Sequence, residues 1–226
     1  MLRELLQAVI PTTCACCGEV LVAGERQVCI SCLGALAATG YSPMDNNLIE
    51  RRLIGRVPYV AASSLYHFRK GDTTRRLIHA MKYHDGTELC YMMGRQLGLD
   101  LAASGRFDDV EILIPVPLHW LRWLERGYNQ SEIISQGISD VRHRPVVSNV
   151  LVRHRYTRKQ SLRGSAERGI NVEGAFRVRK PSLIEGKHVL LVDDVLTTGA
   201  TIAACADALE GVNGLKISVA PLAAAD

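Results

Sequence analysis

At 226 residues, with 47% hydrophobic and 22% charged side chains, the chain has the composition of a globular protein and not of a disordered one. A formal net charge of +4 suits an anionic small molecule or a nucleic acid and selects neither. No apolar run approaches the roughly 18 residues needed to cross a membrane, so no membrane insertion is expected, and seven cysteines, an odd number, do not read as a secreted disulfide framework.

The first ten residues place Leu2, Leu5, Leu6, Val9 and Ile10 at helical spacing with Glu4 among them, which predicts an amphipathic helix and not a signal peptide. Cys14, Cys17, Cys29 and Cys32 follow as two Cys-x2-Cys pairs. Such pairs let two short knuckles close one tetrahedral zinc site. Four thiolates fill the coordination sphere, so this zinc is structural, stapling a ribbon too small to build its own core. Cys16 cannot join without displacing a member of a pair. Cys90 and Cys205 have no Cys or His neighbour in sequence and read as small buried residues. A nucleic-acid surface is the competing reading of the ribbon. It is opposed by the charges of residues 1–60, where Arg3, Arg26, Arg51, Arg52 and Arg56 are balanced by Glu4, Glu19, Glu25, Asp45 and Glu50.

Residues 40–58 carry turn formers and bracketing prolines and predict a linker with one short helix. "YVAASSLYHF" reads as one strand. "DTTRRLIHAMKYH" reads as a helix capped by Asp72, with Leu77, Ile78 and Met81 on its buried face. A second helix spans about 87–103, and "VEILIPVPL" is a short buried strand ended by prolines. In the helix that follows, Trp120, Leu121 and Leu124 are expected to face the core and Arg122 and Arg126 the solvent or a ligand. Strands alternating with helices predict a mainly parallel sheet covered on both faces.

"HVLLVDDVLTTGAT" (His188–Thr201) carries the chemistry. Val189–Val192 is a continuous apolar run, as in a central parallel strand. Asp193 and Asp194 then stand at the carboxyl edge of the sheet, where open α/β folds bind ligands. Thr197, Thr198, Gly199, Ala200 and Thr201 open the next helix, and backbone N–H groups in such a turn cradle a phosphate. Paired carboxylates beside a phosphate cradle describe a ribose-phosphate site. Caps and turns would explain each residue singly, but not their joint order after a buried strand.

From Val189 to Thr201 the stretch resembles the 5-phosphoribosyl-1-diphosphate (PRPP) signature of the type I phosphoribosyltransferases. With "PVPLHWLRWLERGYNQS", "QSL" at Gln160–Leu162, "RGIN" at Arg168–Asn171 and the four-cysteine ribbon, nearly the whole chain is similar to the ComF-type competence proteins. That resemblance implies a type I phosphoribosyltransferase fold with a small N-terminal zinc ribbon, residues 1–56 holding the helix, ribbon and linker and residues 57–226 the phosphoribosyltransferase-like domain. It further implies a cytoplasmic protein that binds PRPP or ribose 5-phosphate. The site would be Asp193, Asp194, Val195 and Thr197 through Thr201, with Arg126 and Gly127 toward the diphosphate, and Asp193 and Asp194 as the catalytic pair. Magnesium would arrive with PRPP, held chiefly by its diphosphate and ribose oxygens.

Three alternatives stay open. The chain transfers phosphoribosyl to an unidentified acceptor, or senses PRPP without turning it over, or serves as a single-stranded-DNA-binding adaptor among DNA-uptake proteins. Arg153 to Gly169, rich in Lys and Arg, reads either as a lid over PRPP or as a nucleic-acid patch. Lys82, in "MKYHDG", looks like a family motif without a mechanism of its own.

Overall fold

The computed structural model describes residues 12–83, 86–154 and 174–226, so the expected N-terminal helix and all of the basic segment after His154 lie outside it. The strands are β1 (Tyr59–Ala62), β2 (Tyr66–Phe68), β3 (Ile112–Pro115), β4 (Leu151–Arg153), β5 (Phe176–Val178), β6 (His188–Leu196) and β7 (Lys216–Ala225). The helices are α1 (Ile30–Gly34), α2 (Leu48–Leu53), α3 (Thr73–Ala80), α4 (Gly86–Ser104), α5 (Trp120–Arg126), α6 (Gln130–Arg142) and α7 (Ala200–Leu209).

The central sheet runs β1-β7-β6-β3, with β2 also paired to β7, and every pairing in it is parallel. Its inner strands are apolar on both faces because helices cover both. Leu190 and Val192 join a core with Leu77, Met93, Leu97 and Ile134 from α3, α4 and α6. Val189 and Leu191 point the other way, toward Ile49 and Leu53 of α2 and Ile202 and Leu209 of α7. The short helix expected in the linker is therefore built into the core. Cys90 and Cys205 are buried, as their isolation in sequence implied.

Helices α4 and α6 cross at contact distance because two glycines face each other's backbone. A Cβ on Gly94 would sit 2.2 Å from the Ile134 carbonyl oxygen, and one on Gly137 would sit 2.3 Å from that of Tyr91. Asp72 caps α3 as expected, its Oδ1 accepting from the Arg75 N–H at 2.8 Å.

Three local expectations are corrected. "YVAASSLYHF" is two strands, since Thr39 donates its hydroxyl to the Ser64 carbonyl and the His67 N–H reaches Ala37 at 2.8 Å, diverting the chain between β1 and β2. The strand holding the aspartates does not stop at Val192. Its pairing with β7 continues to Leu196, while β3 ends opposite Val192 at Pro115. Finally, no residue of α5 is buried: Trp120 is 60%, Trp123 50% and Leu124 64% exposed. Nothing among the described residues covers the face that its apolar spacing presents.

Candidate functional site

The ribbon brings its four cysteines together. The Sγ atoms of Cys14, Cys17, Cys29 and Cys32 all lie within 4.8 Å of one another, and that of Cys17 is 3.8 Å from that of Cys29. A tetrahedral ion with Zn–S bonds of about 2.3 Å has edges of about 3.8 Å, so the set fits zinc. The backbone supports thiolates here: the N–H groups of Cys16 and Cys29 donate to Cys14 Sγ, and that of Cys32 donates to Cys29 Sγ. Burial opposes ionisation of Cys14, but the N–H groups of Cys29, Cys16 and Cys17 outweigh it and bring the thiol down to about 6. Cys16 stays out of the cluster, and burial pushes its thiol up to about 12. Cys14, Cys16, Val28, Cys32 and Leu36 continue into the core beside α3 and α4, so the ribbon is fixed to the larger body.

A second site lies at the carboxyl edge of the sheet, where β6 outruns β3. An open cleft of about 260 Å³ is lined by Asp193, Asp194, Val195, Thr197 and Thr201 together with Arg122, Arg126 and Arg153. A hollow of about 30 Å³ adjoins it, formed by Asp193, Val195 and the continuous run Leu196–Ile202. Thr198, Gly199 and Ala200 meet the ligand space only there. Gly199, at φ 78°, makes the left-handed turn into α7 and offers that helix no side-chain cap of its own, while the Ala200 N–H donates to the Thr198 hydroxyl at 3.4 Å. The sequence-predicted residues thus converge, with one exception. Gly127 does not line the cleft; at φ 79° it ends α5, its N–H bonded to the Trp123 carbonyl.

The two aspartates are held differently. Asp193 Oδ1 accepts from the Ser131 hydroxyl at 3.1 Å and from the Asp194 N–H at 2.8 Å. Desolvation at the cleft floor and the adjacent Asp194 carboxyl nevertheless push Asp193 up to about 7. Asp194 is paired with Lys82, Nζ to Oδ2 at 2.7 Å, and its Oδ1 accepts from the Val195 N–H. Lys82 is thereby placed in the cleft as the direct countercharge of a predicted catalytic residue. Ser131 was not legible as a site residue, although "YNQS" carries the signal of a helix start: Asn129 caps α6 and binds the Val116 carbonyl, fixing α6 against the exit of β3. On the cleft wall, Arg126 Nη1 donates to Gln130 Oε1 at 2.8 Å.

The phosphoribosyl transferase domain family matches residues 124–225, which include β6, the aspartates and the hollow. The DNA utilization protein YhgH of Escherichia coli O157:H7 is 34% identical over 136 residues, 59% of each chain. Competence protein F of Haemophilus influenzae is 34% identical over 130 residues, 56% of this chain and 57% of that one. The chain is similar to the ComF-type competence proteins over that shared stretch and carries a phosphoribosyl transferase domain. Its fold is the type I phosphoribosyltransferase fold with a small N-terminal four-cysteine ribbon. The ComF-type relatives are matched over less than two thirds of their length, so what those whole proteins do stays with them. A solved glutamine PRPP amidotransferase from B. subtilis, complexed with ADP and GMP, is 17% identical over 60% of this chain and 27% of its own, with a TM-score of 0.39. No described helix is long and apolar enough to cross a membrane.

Proposed function

We propose that the cleft binds PRPP with magnesium and transfers its phosphoribosyl group to an acceptor, in a cytoplasmic protein serving the use or uptake of DNA. The carrying observation is that Asp193 and Asp194 open onto the same cleft as the hollow at the start of α7. Ribose hydroxyls would donate to the carboxylates while the N–H groups of Thr198 through Thr201 take the 5′-phosphate. Arg122, Arg126 and Arg153 suit the diphosphate, which a planar guanidinium binds through two oxygens. Gly127 serves this wall indirectly, by ending the helix that presents Arg126.

In the reaction, the bond from C1 to the diphosphate oxygen breaks, diphosphate leaves with the electron pair, and C1 bonds to the acceptor, which loses a proton. Magnesium would neutralise the leaving diphosphate. Asp193 and Asp194 would orient the ribose and place negative charge near the developing oxocarbenium centre. Lys82 must yield its place on Asp194 as the hydroxyls arrive, which puts its ammonium near the anionic ligand. The same reading carries the division into a ribbon segment over residues 1–56 and a phosphoribosyltransferase-like domain over 57–226.

One observation favours the second reading, of an adaptor for single-stranded DNA. Trp120 and Trp123 are exposed on a helix that also carries Arg122 and Arg126, and stacking platforms beside cations hold single strands. Calorimetry with PRPP separates the two. Under the first reading PRPP binds, magnesium strengthens binding, and Asp194→Ala weakens it at least about tenfold through the loss of charge-assisted hydrogen bonds. Equal affinity in Asp194→Ala refutes this site. Diphosphate release with a panel of bases and amines then distinguishes transferase from sensor.

A further inference from the structure

The hollow at the start of α7 is backed from outside by two arginines of the segment that reads as a linker. Arg52 Nη1 donates to the Thr197 carbonyl at 2.7 Å and to the Ala225 carbonyl, at the end of β7, at 2.7 Å. Arg56 Nη1 donates to the Thr198 carbonyl at 2.6 Å. In a planar trans peptide the carbonyl and the following N–H point in opposite directions. Tying the carbonyls of Thr197 and Thr198 to guanidiniums on one side therefore turns the N–H groups of Thr198 and Gly199 to the other.

The base on which these arginines stand is rigid. Asn47 caps α2 by accepting from the N–H groups of Ile49 and Glu50, and its Nδ2 holds the Ala62 carbonyl at 2.7 Å. Ile49 and Leu53 are fully buried. Glu50, also buried, accepts from the Ala62 N–H and from Arg106. Leu53 and Arg56 rest against Gly199, at 3.4 and 3.5 Å from where a Cβ would stand.

We propose that Arg52 and Arg56 are positioning residues for the phosphate loop, holding its carbonyls outward so that its N–H groups face a ligand phosphate. The inference rests on the phosphate reading of the hollow. It makes α2, far from the signature in sequence, part of the site's machinery. The two guanidiniums also set positive charge behind the loop, which favours a dianion in front of it.

The test uses the full-length zinc-loaded protein, with zinc content and melting temperature confirming that each variant is folded. Backbone order parameters are measured without ligand, and calorimetry compares ribose 5-phosphate with ribose. In the Arg52→Ala, Arg56→Ala double variant, the order parameters of Thr198 and Gly199 should fall from about 0.85 toward 0.6 while those of Val189–Val192 stay unchanged. Ribose 5-phosphate affinity should fall at least about tenfold, with ribose unaffected. Arg56→Ala alone, at an exposed position, should show a smaller change of the same kind. Arg52→Lys with Arg56→Lys should restore part of the affinity but not the order, since an ammonium keeps the charge and loses the planar fork. Unchanged order in the double variant overturns the positioning role. A wild-type protein that fails to bind ribose 5-phosphate overturns the phosphate reading, and wild-type binding that both alanine variants retain overturns the role of the arginines alone.

Discussion

Asp193 offers a prediction whose size follows from its surroundings. Its carboxyl is shifted from an ordinary value of 3.8 up to about 7 by desolvation and by Asp194, so near neutrality it is about half ionised. Ribose hydroxyls need the ionised acceptor, because Ser131 and the Asp194 N–H already occupy Oδ1. Between pH 6 and pH 8 the ionised fraction should rise from about 0.1 to about 0.9, and PRPP affinity with magnesium should rise about tenfold. The phosphates of PRPP titrate in the same range, so Asp193→Asn supplies the reference: it should bind more weakly at pH 8 and lack the carboxyl's share of the pH dependence. Calorimetry at pH 6, 7 and 8 in buffers of different ionisation enthalpy should also show the wild type releasing about half a proton more than Asp193→Asn at pH 7. The sign for folding is opposite. Between the ordinary value and about 7 the folded state holds more protons at this group than the unfolded chain, so Asp193 should make the ligand-free protein less stable as pH rises through that window. The same wild-type and Asp193→Asn pH profile would refute the reasoning.

Lys82 lowers the cost of ionising Asp193, so Lys82→Met should move the midpoint of that binding profile to higher pH; an unmoved midpoint shows that Lys82 does not act on Asp193 electrostatically. Elemental analysis should find one zinc per chain, lost in the Cys29→Ser, Cys32→Ser double variant. Since Val28 and Leu36 bury themselves against the larger core, releasing them at about 3 kcal/mol in total should lower the melting temperature by roughly 6–12 °C. Full zinc occupancy in that variant would remove the assignment.

Reading the chain by its local patterns goes furthest where the chemistry itself is local. The two Cys-x2-Cys pairs found each other because each knuckle brings its own thiols together before the fold contributes anything. The order strand, aspartate pair, threonine-glycine turn, helix placed Asp193, Asp194 and Thr197–Thr201 around one space because neighbours in sequence are neighbours there. The buried face of α3 was legible for the same reason, through helical spacing and the Asp72 cap, and α4 was legible as a helix. That logic failed at α5, where the apolar spacing of Trp120, Leu121 and Leu124 says which residues share a face but not whether anything packs on it. It failed also at Asp193, whose strand runs to Leu196 because β7 is longer than β3, a fact about partners and not about the strand.

What only the tertiary structure decided is who touches the motif from afar. Ser131 reaches Asp193 across 62 residues of sequence, and Arg52 reaches Thr197 across 145. Lys82 meets Asp194 because α3 and the exit of β6 end at the same edge of the sheet. A lysine in a "MKYHDG" motif and an arginine in a linker carry no mark of these roles, since a charge declares its partner only when the chain has folded to bring the two together and exclude the water between them.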